Sequence, residues 1–207
     1  KNARLDPAVR PSLTTGRTSF TYYPDMIRLP EGSVPDVKNR SWSLTAELTT
    51  KGGDNGMVIT QGGLFGGWGL YFQNGKPVYH NNVVGQSHQS ITGNTLPAGD
   101  HVIVFDFLFD GGAAGNGGMG TLIVDGVEVA NDHITSTTPI RFALDEGGID
   151  VGQDSGTPLN LDYDVPFKFT GDLTKVTIDL NLEQPAISPD EQKRVDRLRR
   201  DMAVRRD

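Results

Sequence analysis

Alternation of apolar and polar residues is the feature that most restricts how this chain can fold, and it recurs over residues 18–182. In SWSLTAELT, residues 41–49, every second residue from Trp42 is apolar. HVIVFDFLFD, residues 101–110, repeats the pattern from Ile103. A period of two is the side-chain repeat of a β-strand. Because no helical pattern of about 12 residues separates these runs, they predict an all-β sandwich of roughly a dozen antiparallel strands.

Glycine-containing dipeptides mark the turns between these predicted strands. QGGLFGGWGLYFQNGKPVYHNN, residues 61–82, contains Asn74-Gly75, and GTLIVDGVEVA contains Asp125-Gly126. Both dipeptides suit the positive φ angles of tight hairpin turns. The first stretch lacks the helix and the Gly-Lys-Ser/Thr sequence of a phosphate-binding loop, so we interpret it as a hairpin. In TGDLTKVTIDLNL, imperfect alternation predicts a bulge near Thr174-Lys175.

The C-terminal segment, ISPDEQKRVDRLRRDMAVRRD, changes to the period of a helix. Ser188, Pro189 and Glu191 form a capping-box start with Pro at the first helical position. An apolar stripe follows, and it consists of Val195, Leu198 and Met202. A stripe this narrow can dock a helix on another surface but cannot hold it alone. The stripe therefore predicts a docked helix and leaves a homo-oligomer contact open.

The length of 207 residues fits one sandwich domain with short additions at its ends. These patterns divide the chain into an extended arm at 1–17, a β-sandwich at 18–182 and a charged amphipathic helix at 188–207. The polar N-terminus carries no signal peptide, and its start without Met predicts a chain cut from a longer protein. The absence of cysteine leaves the compartment open between a reducing cytoplasm and an oxidising periplasm.

Charge and composition exclude several classes of partner. The formal net charge of −7 argues against a general affinity for nucleic acid or for anionic lipid. No window approaches the ~18 consecutive apolar residues of a membrane span. The sequence therefore predicts neither a nucleic-acid partner nor a membrane partner.

No motif for covalent catalysis is present. No serine stands in Gly-x-Ser-x-Gly, and the four histidines lack the spacing of a transition-metal site. Acidic residues cluster in LDEGGIDVGQD and NLDYDVPF, and calcium prefers such oxygen ligands from flexible loops. Solvated loops, a calcium site and a pair of catalytic carboxylates all remain open for these stretches. The calcium ligands would be Asp150, Asp154, Asp162 and Asp164, and no cofactor is required.

Aromatic residues supply candidate sugar-stacking groups. Trp68 and Tyr79, flanked by glycines and by polar donors, are the better candidates for an exposed platform. At strand spacing such rings also serve as core or cross-strand pairs, and we assign Phe20, Phe72 and the run from Phe105 to the core. The candidate ligand-binding residues are Trp68, Tyr71, Tyr79, His80 and Asn81.

Four stretches carry a family resemblance. RPSLTTGRTSFTYYPDMIRLPEGSVPDVKNRSWSLTAEL resembles the junction behind the catalytic domain of large bacterial arylsulfatases. GGWGLYFQNGKPVYHNN, LFDGGAAGNGGMGTLIVDGVEVA and FALDEGGIDVGQDSGTPLNLDYDVPFKFTGDLTKVTIDL resemble the rest of the same C-terminal region, in order and spacing. The similarity covers about residues 10–182. It implies a concanavalin A/laminin-G-like jelly-roll β-sandwich behind an α/β sulfatase domain.

The resemblance carries over no catalytic residue. Sulfatases use a formylglycine made from a Cys/Ser-x-Pro-x-Arg motif, and this chain has no cysteine. Its nearest match, residues 137–141, begins with Thr, and Ser33-Val34-Pro35-Asp36-Val37 lacks the Arg. The chain alone is therefore not expected to be an enzyme, although the resemblance implies that its parent protein is a sulfuric ester hydrolase.

Three functions follow as hypotheses. The first is a non-catalytic accessory domain that contacts its own sulfatase catalytic domain or an oligomer partner. The second is a lectin-like carbohydrate-binding module that recognises a sulfated glycan. The third is a free-standing glycan-active enzyme with two opposed carboxylates. A fold alone does not choose among them.

Overall fold

The computed structural model describes residues 13–142, 148–180 and 188–204, with side chains up to residue 201 in the last segment. The first sheet has the strand order β1-β13-β2-β7-β8-β9. Its strands are β1 (Ser19–Tyr22), β2 (Trp42–Thr50), β7 (Gly99–Phe109), β8 (Asn116–Val124), β9 (Val127–Ser136) and β13 (Asp172–Asp179). Neighbouring strands in it are antiparallel.

The second sheet has the order β11-β12-β3-β4-β5-β6, and β10 also pairs with β3. Its strands are β3 (Gly56–Gly63), β4 (Gly66–Gln73), β5 (Lys76–Val83), β6 (Ser87–Thr92), β10 (Ile149–Val151), β11 (Gln153–Asp154) and β12 (Phe167–Lys168). One pair, β12 with β3, is parallel, so the expected all-antiparallel arrangement is wrong at this edge.

The alternating residues of the sequence form the core between the two sheets. β2 alternates buried and half-buried residues along its whole length, as a strand with one buried face must. Phe20, Phe72 and Phe105 are all buried in the main cluster, as expected. The expected all-β sandwich with a short C-terminal helix is thus confirmed.

Hairpin turns occur where the dipeptides predict them. Asn74 and Gly75 join β4 to β5, with φ angles of 52° and 77°. Asp125 and Gly126 join β8 to β9, with φ angles of 51° and 80°. The predicted bulge is present as a register shift between Leu173 and Lys175.

The C-terminal helix, α1 (Pro189–Val204), docks on the sandwich. Ser188 Oγ accepts a hydrogen bond from Glu191 N at 3.2 Å, which caps the helix as its sequence predicts. Val195 is only 2% exposed, while Leu198 remains 37% exposed. The Met202 side chain and residues 1–12 of the expected arm lie outside the described part, so the division into arm, sandwich and helix stays a prediction.

The outer face of the second sheet explains the glycines of β4. Gly67 and Gly69 point outward, while Trp68 and Leu70 between them belong to the core cluster. A Cβ on either glycine would lie 3.0 Å from a methyl group of Leu159. Both glycines make room for the segment that carries Leu159 across this face, and Gly67 also avoids the Gln61 carbonyl oxygen, 2.3 Å from such a Cβ.

Candidate functional site

An open cavity of about 280 Å³ lies where β3 and β10 meet the segment before β2. A short 3₁₀ helix, Glu31–Ser33, belongs to that segment. The lining mixes positive, negative and glycine residues: Arg28, Pro30, Glu31, Thr60, Gly62, Arg141, Gly148, Asp150, Asp154 and Gly156. We call this cavity the arginine pocket. It is slightly smaller than the ~300–1,000 Å³ of typical small-molecule sites.

Asp150 fixes one wall of the arginine pocket. Its Oδ1 accepts the Arg28 backbone N–H at 2.5 Å. Its Oδ2 accepts the backbone N–H of Ser155 at 2.8 Å and the Ser155 hydroxyl at 2.6 Å. Arg28 has a φ of 55°, an uncommon angle for a residue with a side chain. The buried carboxylate thus holds the Arg28 backbone in place and ties it to the loop after β11.

Asp154 and Tyr163 hold the crossing segment above the pocket. The Tyr163 hydroxyl donates to Asp154 Oδ2 at 2.5 Å and accepts the Leu159 backbone N–H at 2.7 Å. Burial, with the neighbouring Asp154 carboxylate, raises the pKa of Tyr163. The phenol therefore stays protonated and keeps donating to Asp154.

Glu31 connects the pocket to buried charges behind it. Its Oε2 lies 3.4 Å from Arg141 Nε, and its Oε1 lies 2.8 Å from Lys38 Nζ. Lys38 also lies over the Phe142 ring, with Nζ 4.7 Å from the centroid. Because Glu31 is shared between two cations, it neutralises Arg141 only in part. Arg141 Nε is buried and has no hydrogen-bond partner among the described residues.

A second polar group lies on the outer face of the same sheet. His80 Nδ1 is 2.7 Å from Ser90 Oγ, and its Nε2 is 3.0 Å from His88 Nδ1. Burial, together with repulsion from His88, lowers the pKa of His80 to about 4, although Asp162 acts in the opposite direction. At neutral pH His80 is therefore neutral and serves to link β5 to β6.

The structure does not provide the expected aromatic platform. Trp68 is 2% exposed and Tyr79 is 3% exposed. Trp68 packs on Trp42 with centroids 4.7 Å apart, and Tyr79 stacks on Phe105 at 3.5 Å. The expectation of exposure was wrong because the strand register turns both rings inward, between the sheets.

Of the other three candidate residues, only Asn81 lies with Trp68 and Tyr79, in the lining of one small cavity of about 20 Å³. Tyr71 is buried on the outer face of the sheet, beneath Tyr163 and Phe167. His80 lies on that outer face, whereas Asn81 points inward and donates to the Ser136 carbonyl at 3.1 Å. The five residues therefore form no common surface, and a ligand-binding role for them stays an untested prediction.

The four candidate calcium ligands do not come together. Asp150 of β10 and Asp154 of β11 are buried and line the arginine pocket, whereas Asp162 and Asp164 are exposed. Within the described residues, no group of three or more His, Asp or Glu side chains is placed to hold a metal ion. The oxygens of Asp150 accept hydrogen bonds from neutral donors, and a calcium site here stays an untested prediction.

Sequence reasoning missed Arg28, Glu31 and Arg141, the charged residues of the arginine pocket. Arg28 and Glu31 come from the segment before β2, whereas Arg141 comes from the segment after β9. The first segment meets the rest of the pocket only when β10 pairs with β3 and Leu29 pairs with Ile149. No local spacing links Arg141 to the other two. The only signal was the acidic stretch that supplies Asp150 and Asp154.

Comparison with known proteins gives the fold but no family. No protein-family model and no curated protein matches the chain. Among solved structures, the chain resembles the CBM40 domain of a Ruminococcus gnavus IT-sialidase bound to α2,3-sialyllactose. The TM-score is 0.50 at 11% identity, over 83% of this chain and 89% of that one. At this identity the likeness shows a shared fold alone.

Two further structures give weaker likenesses. Mouse laminin α1 domains LG4-5 match with a TM-score of 0.47 at 17% identity over 84% of this chain, which spans 45% of that one. The botulinum neurotoxin serotype C1 binding domain matches at 0.46 and 12% identity, over 79% of this chain and 37% of that one. None of these three structures is a sulfatase. Among the described residues, no helix is long and apolar enough to cross a membrane.

Proposed function

We propose that this chain is a non-catalytic, lectin-like module that binds a glycan in the arginine pocket. The observation that carries the proposal is the mixed lining of that cavity, where Arg141 and Glu31 meet the buried carboxylates Asp150 and Asp154. Sugar hydroxyls both donate and accept hydrogen bonds. A pocket with guanidinium donors and carboxylate acceptors therefore suits a hydroxylated ring better than an apolar ligand.

Arg141 favours a glycan that carries an anionic group. Its guanidinium shares Glu31 with the closer Lys38, so Glu31 neutralises its charge only in part. A planar guanidinium matches sulfate and carboxylate oxygens in a bidentate manner. We therefore assign a sulfated or carboxylated sugar to the pocket, with the anionic group on Arg141.

The hydrogen bonds of the pocket carboxylates favour binding over catalysis. Asp150 accepts from Arg28 and Ser155, and Asp154 accepts from Tyr163. A glycosidase needs one carboxylate free to protonate a leaving group and a second facing the sugar carbon. Here both groups support loops, so a free-standing glycan-active enzyme is the weaker hypothesis.

The proposal is tested with an array of sulfated, sialylated and neutral glycans, followed by calorimetry on the hits. We expect binding to anionic glycans and a loss of at least about tenfold in Arg141→Gln, since a charge-assisted bidentate contact contributes about 1.5–3 kcal/mol. Arg194→Gln, an exposed arginine on α1, is the matched control and is expected to bind as the wild type does. Absence of any glycan binding, or equal binding by Arg141→Gln, contradicts the proposal.

A second candidate function is the accessory domain of an arylsulfatase. It is favoured by the outer face of the first sheet, which exposes Val102, Leu108 and Met119 on neighbouring strands. Exposed apolar groups on one face are typical of a contact with another domain. The test is p-nitrophenyl sulfate hydrolysis by this chain and by a version extended N-terminally from its gene. Activity only in the longer protein supports this role, and activity in the isolated chain contradicts it.

A further inference from the structure

Three loops at one end of the second sheet each present a large apolar side chain to solvent. Phe65 lies in the turn between β3 and β4, Val84 in the turn between β5 and β6, and Leu161 in the segment that crosses the outer face. Their exposed fractions are 71%, 56% and 84%. We call these three residues the apolar patch.

A single buried amide holds the three loops together. Asn82 Nδ2 lies 3.0 Å from the carbonyl oxygens of Gly63, Leu64 and Leu159. Asn82 Oδ1 accepts the backbone N–H of Gly85 at 2.8 Å. Each loop of the apolar patch is thus fixed within one or two residues of its exposed side chain. The three loops of the apolar patch are therefore held together by a shared buried side chain.

Val84 is a poor residue for the turn that it occupies. It has a φ of 48° and is followed by Gly85 at 70°. The Asn74-Gly75 and Asp125-Gly126 turns of this chain have nearly the same angles, with the residues that such turns prefer. A β-branched residue with positive φ is a genuine outlier. Local stability therefore favours Asn at position 84, so we attribute the valine to a role for its apolar side chain.

The apolar patch adjoins the arginine pocket. A Cβ on Gly66 would lie 2.5 Å from the Phe142 carbonyl oxygen, and a Cβ on Gly63 would lie 2.2 Å from Thr157 Oγ1. Phe142 follows the pocket residue Arg141, and Thr157 follows the pocket residue Gly156. The turn that carries Phe65 is therefore in contact on both sides with segments that form the pocket.

We propose that the apolar patch is a second sugar subsite, which takes the ring next to the one in the arginine pocket. This inference rests on the proposed function and extends it. The occupant is the apolar C–H face of a pyranose, which stacks on Phe65 and contacts Val84 and Leu161. The exposed polar residues His88 and Asp162 border the patch. They can form hydrogen bonds with the hydroxyl groups at the edge of the sugar ring. Three side chains match one sugar ring, whereas stable protein interfaces bury about 800 Å² per partner.

The test compares short and long probes that share one anionic sugar. One pair is N-acetylgalactosamine 6-sulfate and a chondroitin 6-sulfate tetrasaccharide, and the other is N-acetylneuraminic acid and 3′-sialyllactose. We expect Phe65→Ser, Leu161→Ser and Val84→Asn each to weaken binding of the longer probe about five- to tenfold, and to leave the monosaccharide unchanged. Arg141→Gln is expected to weaken binding of both the monosaccharide and the longer probe in each pair.

Val84→Asn separates a binding role from a structural one. Because Asn suits positive φ, this variant is expected to have a higher unfolding temperature than wild type. It is also expected to bind the longer probe more weakly. Val127→Asn, at an exposed valine on the first sheet, is the matched control and is expected to leave binding unchanged.

The outcomes distinguish the two proposals. If the wild type binds neither member of either pair, the proposed function fails and this inference fails with it. If the wild type binds the longer probes and the three patch variants bind them equally well, only the second subsite is overturned. If the wild type self-associates, and the patch variants lose self-association while glycan binding is unchanged, the second subsite is overturned. The apolar patch is then a contact with a second copy of the chain.

Discussion

Arg199 Nη2 of helix α1 lies 2.9 Å from Asp36 Oδ2. Asp36 Oδ1 in turn lies 2.8 Å from Lys38 Nζ, and Lys38 binds Glu31, which pairs with Arg141. Charges of alternating sign thus run from the C-terminal helix to the arginine pocket. The helix is positioned by this row of ion pairs and by the buried Val195, rather than by a broad apolar face.

The Arg199–Asp36 pair makes helix docking sensitive to acid. Burial acts to raise the pKa of Asp36, but the charges of Lys38 and Arg199 outweigh it and hold the pKa below its usual value. The stability from this carboxylate is therefore complete above its unfolded pKa near 3.8 and is lost as pH falls through the folded value. Since the Asp36 side chain is 46% exposed, we expect Arg199→Gln to cost only about 0.5–1 kcal/mol at pH 6.

Urea unfolding at pH 6 and at pH 3 measures this effect, and an NMR titration of Asp36 follows its pKa directly. Arg199→Gln is expected to raise that pKa toward 3.8. Arg194→Gln, on the same helix but paired with Glu191, serves as the control. An unchanged Asp36 titration in Arg199→Gln would show that the ion pair has no energetic weight.

His80 predicts a second pH dependence, in a different range. Its folded pKa of about 4 lies below the ordinary value of 6.5, so between these values the unfolded chain binds more protons than the folded one. Stability is therefore lost as pH falls from about 6.5 to about 4, by on the order of 3 kcal/mol. We expect His80→Gln to flatten the pH dependence of the unfolding free energy across this window, as measured by urea unfolding at several pH values. If the unfolding free energy of His80→Gln depends on pH as steeply as that of wild type, a lowered pKa of His80 is not the cause of the dependence.

The fold could be read from the sequence because each strand carries its own signal. Two local signals were enough: the alternation that begins at Trp42 and at Ile103, and the turn dipeptides at Asn74 and Asp125. Each signal depends only on neighbours within a few residues. Capping at Ser188 is equally local. Packing and hydrogen bonding of this kind are decided by the short-range pattern of polar and apolar groups.

The candidate site could not be read in this way because its parts meet only through long-range pairing. Arg28 and Asp150 are far apart in the chain, yet one backbone hydrogen bond joins them. The direction of Trp68 depends on a strand register that the glycine-rich hairpin leaves ambiguous, since glycine lies on both sides of it. A single-residue difference in register would have placed this ring outside, which is why the expected platform failed.

Gly67 and Gly69 of β4 give a prediction about why the hairpin at residues 61–82 needs glycine. A Cβ on Gly67 would lie 2.3 Å from the Gln61 carbonyl oxygen, which cannot move without disturbing the pairing of β3 with β4. A Cβ on Gly69 would lie 3.0 Å from the Leu159 side chain and 3.2 Å from both the Ile59 carbonyl oxygen and the Met57 side chain, so its approach to the backbone is much less close. We therefore expect Gly67→Ala to cost about 3 kcal/mol or more and Gly69→Ala about 1–2 kcal/mol.

Denaturant unfolding of both alanine variants tests this order. Combining Gly69→Ala with Leu159→Ala removes the contacted methyl group, so the two effects are expected to be less than additive. A larger loss for Gly69→Ala than for Gly67→Ala would mean that backbone approach does not set the need for glycine in β4.

Asn82 provides the last prediction, because one amide joins three loops. Asn82→Ala leaves the buried carbonyls of Gly63 and Leu159 without this donor, which is expected to cost about 2–4 kcal/mol. Asn82→Asp keeps the shape but places carboxylate oxygens against those carbonyls, so at pH 7 it is expected to cost more than the alanine variant and to recover in part on acidification. Urea unfolding gives the free energies, and amide exchange at Gly85, whose N–H binds Asn82 Oδ1, reports whether the loops open. If Asn82→Asp is as stable as wild type and Gly85 stays protected, the amide does not hold the loops, and the apolar patch is not fixed by it.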